Sequence, residues 1–225
     1  MRYSKDHKAQ TRARIVHKAA VRLREDGLNG VAIADLMKQA GLTHGGFYAH
    51  FRSRDALIGE AMIFAMDGIT QRWRKRAELA PKGKKFDAIV NGYLTARHRD
   101  DTGNGCVLPA LGAEIARADA KIRKAFAARL EDMIALIIES RGVRPTKAAR
   151  AQATGAICAM IGALVLARAT SGTLSSNILD AGREAALSPK SEQKSGAGAR
   201  RKSGPVKPPG KAIVPRRTRA RARAG

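Results

Sequence analysis

Apolar residues recur at helical spacing along most of this chain. Ile15, Val16, Ala19, Ala20 and Leu23 form one stripe that Gly27 should end, with Leu28 ready to pack back. Ile33, Leu36, Met37 and Ala40 form a second, shorter stripe, stopped at Gly41 where a helix needs positive φ. Leu42 can then plug the angle before a third element, for which Thr43 is a fitting N-cap because its hydroxyl can accept from a first-turn amide. Phe47 and Phe51 fall on one side of that element, while His44, Tyr48 and the bare backbones of Gly45 and Gly46 fall elsewhere. Two short helices sharing a glycine turn make a helix-turn-helix over residues 31–51, with one face to pack and another able to meet DNA.

The rhythm continues beyond the head. A long helix from Arg54 to Ala77 should bury Leu57, Ile58, Ala61, Met62, Ala65 and Ile69, and Pro81 with Gly83 closes it. Further helices are expected over Phe86–Arg99, Gly105–Arg117, Ala120–Arg141, Thr146–Thr170 and Leu174–Ala186. The run DDTGNG before Cys106 is the clearest internal break, and Pro109 either kinks or starts the helix it enters. Small residues recur at Ala156, Ala159, Met160, Ala163, Leu164 and Ala167, a row suited to close approach of a second helix. That row reads as a dimer surface or as an ordinary monomer core.

Composition sharpens this all-α reading. Aromatics are only 4% of the 225 residues against 44% hydrophobic, which suits close-packed helices better than a β-sandwich. The formal net charge of +24 points to a polyanionic partner. It is concentrated at one end, since residues 188–225 hold 12 basic side chains and one acidic. That segment, rich in Pro, Gly, Ser, Lys and Arg, cannot bury enough apolar surface to fold and is expected to be disordered. A flexible polycation adds DNA affinity that ignores sequence and falls steeply with salt. Three domains follow: a helix-turn-helix head over residues 1–57, a helical domain over 58–187, and a disordered basic tail over 188–225.

Other classes fit less well. No secretion signal is visible at the N-terminus, and the longest apolar run, Gly155 to Ala167, is short for a bilayer span, so a cytoplasmic protein without membrane contact is expected. Cys106 and Cys158 lack metal spacing and read as buried small hydrophobes. No GxxxxGK[ST], HExxH, GxSxG or CxxC occurs, so the expectation is no enzyme, no catalytic residue, no cofactor and no metal site. A nonspecific nucleoid-associated protein dominated by its basic tail is the alternative to a sequence-specific regulator.

The stretch from about Thr11 to Met62, and above all GLTHGGFYAHFRSRDAL, resembles the DNA-binding head of the TetR (tetracycline-repressor-like) family of bacterial transcriptional regulators. The resemblance implies a homodimer on a roughly palindromic operator in double-stranded DNA, a third helix in the major groove, and release by a small-molecule effector bound in the C-terminal domain. By position, the base-proximal residues are Thr43, His44, Gly45, Gly46 and Tyr48, and the backbone-contacting residues are Tyr48, His50 and Arg54. Each has a second reading. Gly45 and Gly46 either fray the first turn or let the backbone approach DNA closely. Tyr48 could rim the core, and His50 could cap backbone groups. Ala32 and Ala34 stand where the family tends to have capping or polar residues, so the second helix should make few phosphate contacts. Met62, Met66, Tyr93, Cys106 and Phe126 are candidate walls of an apolar effector pocket. The function expected is a ligand-released repressor.

Overall fold

The computed structural model describes residues 5–188, which form nine α-helices and one 3-10 helix with no strand among the described residues. The basic-tail expectation, apart from Ser188, lies outside that range. The first helix, α1, runs Lys5–Asp26.

Helix α1 ends at Gly27, whose φ of 73° only glycine holds easily. Its predicted stripe is buried as expected. Helix α2, Ile33–Gln39, starts at Ala32 without a side-chain cap. It closes in a Schellman arrangement: Leu42 N–H reaches Met37 O at 2.9 Å and Gly41 N–H reaches Lys38 O at 3.0 Å, with Gly41 at φ 72°. A 3-10 helix, His44–Ala49, takes the place of the third α-helix.

Ser53 caps α3, Arg54–Leu79, by accepting from Ala56 N–H at 3.1 Å. This helix buries Leu57, Ile58, Ala61, Met62, Ala65, Met66, Ile69 and Trp73 in one continuous stripe. Its 26 residues span roughly 39 Å at 1.5 Å per residue, so it packs on α1 at one end and on the distal helices at the other. Pro81 follows its end, where expected.

The single helix expected over Phe86–Arg99 is two: α4, Lys85–Tyr93, and α5, Ala96–Asp100. Thr95 breaks it. In an extended conformation its hydroxyl accepts from His98 N–H at 3.1 Å, so the side chain starts a new turn where a helix would have continued. Helix α6 is confined to Leu108–Ile115, with Pro109 in its first turn, so the proline starts the helix. Asp119 caps α7, Ala120–Ser140, and Thr146 caps α8, Lys147–Arg168; α9 runs Gly172–Leu187.

The row proposed as a dimer surface faces inward. Ala156, Met160, Ala163, Leu164 and Ala167 are buried and Ala159 is partly so, because α8 packs along α9 within the chain. The closest approach explains the small residues: a Cβ at Gly182 of α9 would lie 2.2 Å from the Ala163 Cβ. Opposite that row, α8 carries Ala151, Gly155, Cys158, Gly162 and Val165, and nothing lies within 4 Å of a Cβ placed on either glycine. Cys158 is therefore exposed, unlike the buried Cys106. Apolar on both faces, α8 is long and apolar enough to pass a membrane-span test, yet its inner face is part of the core.

Candidate nucleic-acid interface

The glycine pair at the start of the recognition segment leaves its first turn without side-chain support, and the backbone takes the tighter 3-10 winding. Gly46 N–H donates to Thr43 O at 3.0 Å, and at the far end His50 and Phe51 N–H both donate to Phe47 O, at 2.9 and 3.0 Å. Two rings anchor the segment from beneath. Phe47 and Phe51 are buried and stack with centroids 5.6 Å apart. Everything opposite them is therefore presented outward: Thr43, His44, Gly45 and Ala49 are exposed, and Tyr48 is 65% exposed, edge-on to Phe47 at 5.3 Å. No side chain would crowd a Cβ at Gly45, so that position is open to close approach by a partner.

Thr43 sits at the N-cap position but its hydroxyl makes no capping bond, so the side chain is left available to a ligand of the exposed face. His50 is half-buried. Its carbonyl accepts from Arg12 Nε at 3.4 Å, while its Nδ1 has no partner among the described residues. Burial, and then the charges of Lys8 and Arg12, push its imidazole below the usual value and favour the neutral form.

Arg54 points inward. Its Nε donates to Val31 O at 3.0 Å and its Nη2 to Leu28 O, so the guanidinium closes the connector between α1 and α2 against the start of α3. Arg12 is likewise engaged, with Glu60 at 2.5 Å and over the Phe51 ring at 4.6 Å. Arg52, absent from the sequence-based set, is exposed beside the recognition segment and forms no ion pair or hydrogen bond among the described residues. The signal that could have found it is local: it is the first basic residue after Phe51, in a non-helical turn.

Of the five candidate effector residues, Tyr93 and Cys106 meet side chain to side chain. Met62, Met66 and Cys106 are sealed in the core. Tyr93 lines a cavity beside α5, and Phe126 lines a different one between α6, α7 and α8, together with Leu108, Ile134, Ile157 and Ile161. Spacing could not group them, because they lie on four separate segments whose relative placement no local pattern encodes.

A three-element head with an outward recognition segment, mounted on an all-helical body, defines a helix-turn-helix DNA-binding protein. Residues 15–61 match the family model described as bacterial regulatory proteins, tetR family. Solved structures agree in fold. A TetR transcriptional regulator from Chloroflexus aurantiacus is 24% identical, with 80% of this chain and 94% of that chain covered and a TM-score of 0.67. NemR from E. coli in its reduced form is 20% identical over 79% and 95% of the two chains, with a TM-score of 0.66. A TetR-family regulator from Cytophaga hutchinsonii is 19% identical over 83% and 96%, with a TM-score of 0.65. No curated protein matches the sequence. The head thus matches the tetR family model over residues 15–61, and the whole helical fold is shared with these solved regulators.

Proposed function

We propose that the chain is a cytoplasmic, dimeric repressor that reads a roughly palindromic operator through Thr43, His44, Gly45, Gly46 and Tyr48, and that a small apolar ligand releases it. The observation that carries this reading is the outward face of the 3-10 helix, held on Phe47 and Phe51 with Tyr48 largely exposed. Arg52 joins Tyr48 and His50 as a phosphate-contact candidate, and Arg54 acts from behind by fixing the head. The outer face of α8, apolar and open at Gly155 and Gly162, supports pairing with a second copy. Two-fold pairing sets recognition segments about one DNA turn apart, roughly 34–36 Å or a multiple. The apolar ligand fits the Phe126 cavity of about 190 Å³, which no charged side chain lines.

Footprinting on the DNA flanking the protein's own coding region, followed by anisotropy titrations on the protected fragment, tests the reading. Tyr48→Ala is expected to abolish the footprint while the protein stays folded and dimeric; an unchanged affinity refutes the assigned face. The strong charge of residues 188–225 supports the competing nucleoid-protein reading. Truncating them should weaken binding to operator and random DNA alike and flatten the salt dependence. Absence of any preferred footprint in the full-length protein would favour the nucleoid reading outright.

A further inference from the structure

Between α3, the α4–α5 junction and the loop 101–105 lies a second cavity, of about 290 Å³, that shares no lining residue with the Phe126 cavity. Its walls include Arg72, Arg76, Arg97, His98, Tyr93 and Asp101. Three guanidinium groups thus face one carboxylate, and that carboxylate is occupied: Asp101 Oδ1 accepts from Asn104 N–H at 3.3 Å and from Asn104 Nδ2 at 2.9 Å. Further charge stands behind the loop. Arg24 Nε donates to Gly103 O at 2.6 Å, and Arg168 donates to the carbonyls of His98 and Arg99 at 2.9 and 3.1 Å; Glu25, close to Gly103, is the acidic neighbour on that side.

Among the described residues no ion pair reaches Arg72 or Arg76. Arg72 donates one bond, to Asn104 O at 3.1 Å, and Arg76 none. Yet Arg76 is seated. A Cβ at Gly92 would fall 2.3 Å from its Nε, so the side chain lies against bare backbone that only glycine provides. Burial and the neighbouring Arg72 lower Arg76 from the ordinary guanidinium value, the signature of positive charge held without a counterion. His98 supplies shape rather than charge. Its Nε2 accepts from Cys106 N–H at 2.8 Å, so Nδ1 carries the proton and donates to Tyr93 O at 2.7 Å.

We propose that this cavity binds a small anion whose carboxylate or phosphate group is held between Arg72 and Arg76. Planar guanidinium donors match either group bidentately, and an anion there offsets the repulsion between the two arginines. The size of the cavity limits the ligand to a small metabolite. Loop 101–105, one wall of the site, is bonded through Arg24 to α1 of the head, so occupancy can reach DNA affinity; this coupling rests on the repressor reading.

Trp73, the chain's single tryptophan, reports on the site because its ring lies 5.6 Å from that of Tyr93. Full-length protein is titrated with inorganic phosphate, succinate and benzoate at constant ionic strength, with benzamide as the uncharged counterpart of benzoate. At least one anion should give a saturable change in Trp73 fluorescence, and benzamide none; phosphate against carboxylate then separates the two headgroups. Arg76→Gln and Arg72→Gln should each weaken the binding by about tenfold or more, while Arg74→Gln, exposed elsewhere on α3, leaves it unchanged. No saturation with any of the three anions, or equal affinity in both pocket variants, overturns the site. DNA affinity is measured separately by anisotropy. A saturable Trp73 signal with unaltered operator binding confirms the site and overturns its coupling to the head, whereas failure of the anion-free protein to find any operator counts against the repressor reading alone.

Discussion

The Arg54 guanidinium ties three pieces of the head together, bonding the carbonyls of Leu28 and Val31 from the first turn of α3. Its place at a helix N-terminus is locally unfavourable for a cation, and two backbone acceptors offset that penalty. Arg54→Ala is therefore expected to lower the unfolding free energy by about 1.5–3 kcal/mol, the range for hydrogen bonds from a charged group; chemical denaturation in the absence of DNA measures it. An arginine that only contacted phosphate would leave that value unchanged. At this scale sequence reading assigned Arg54 to the DNA backbone, whereas its guanidinium bonds two carbonyls 23 and 26 positions away in the chain, partners that local spacing does not reveal.

Among the elements, the α4–α5 break is the one on which most depends. Helical periodicity runs through it unbroken, and only the capping geometry of Thr95 and the two bonds of His98 interrupt the helix. Burial, ahead of the charges of Arg168, Arg72 and Arg76, drives the His98 pKa down to about 4. A depressed folded-state pKa means that the unfolded chain binds the proton more readily. Stability is then full above about pH 6.5 and declines as pH falls toward 4, by up to about 1.4 kcal/mol per pH unit for one proton. Denaturation midpoints across this window should show that slope, and His98→Gln should reduce it. A variant with the same slope as the parent protein would remove His98 as its source. The recognition element shows the same limit of local reading. Its anchoring phenylalanines were evident from spacing, but the 3-10 winding over His44–Ala49 was not, because apolar spacing does not distinguish one helical winding from another over so short a segment.

For the whole molecule, the proposed dimer rests on α8. One face closes on α9 through Ala163 and Gly182, and the opposite face is apolar and open. Gly162→Arg should leave the fold intact, because nothing lies within 4 Å of the new Cβ, and should convert dimers to monomers in sedimentation velocity with loss of cooperative operator binding. A dimer that persists would move the interface elsewhere. The all-helical class, the long connecting α3, the helix-turn-helix and the concentration of charge beyond residue 187 were legible in the sequence, because periodicity, caps and composition are local properties. Which of two apolar faces of α8 turns inward, which candidate pocket residues meet, and that arginines distant in the chain surround one cavity without an acidic partner were decided only by the tertiary structure. Such choices depend on the relative placement of helices, and side-chain spacing within one helix carries no information about which neighbour it will meet.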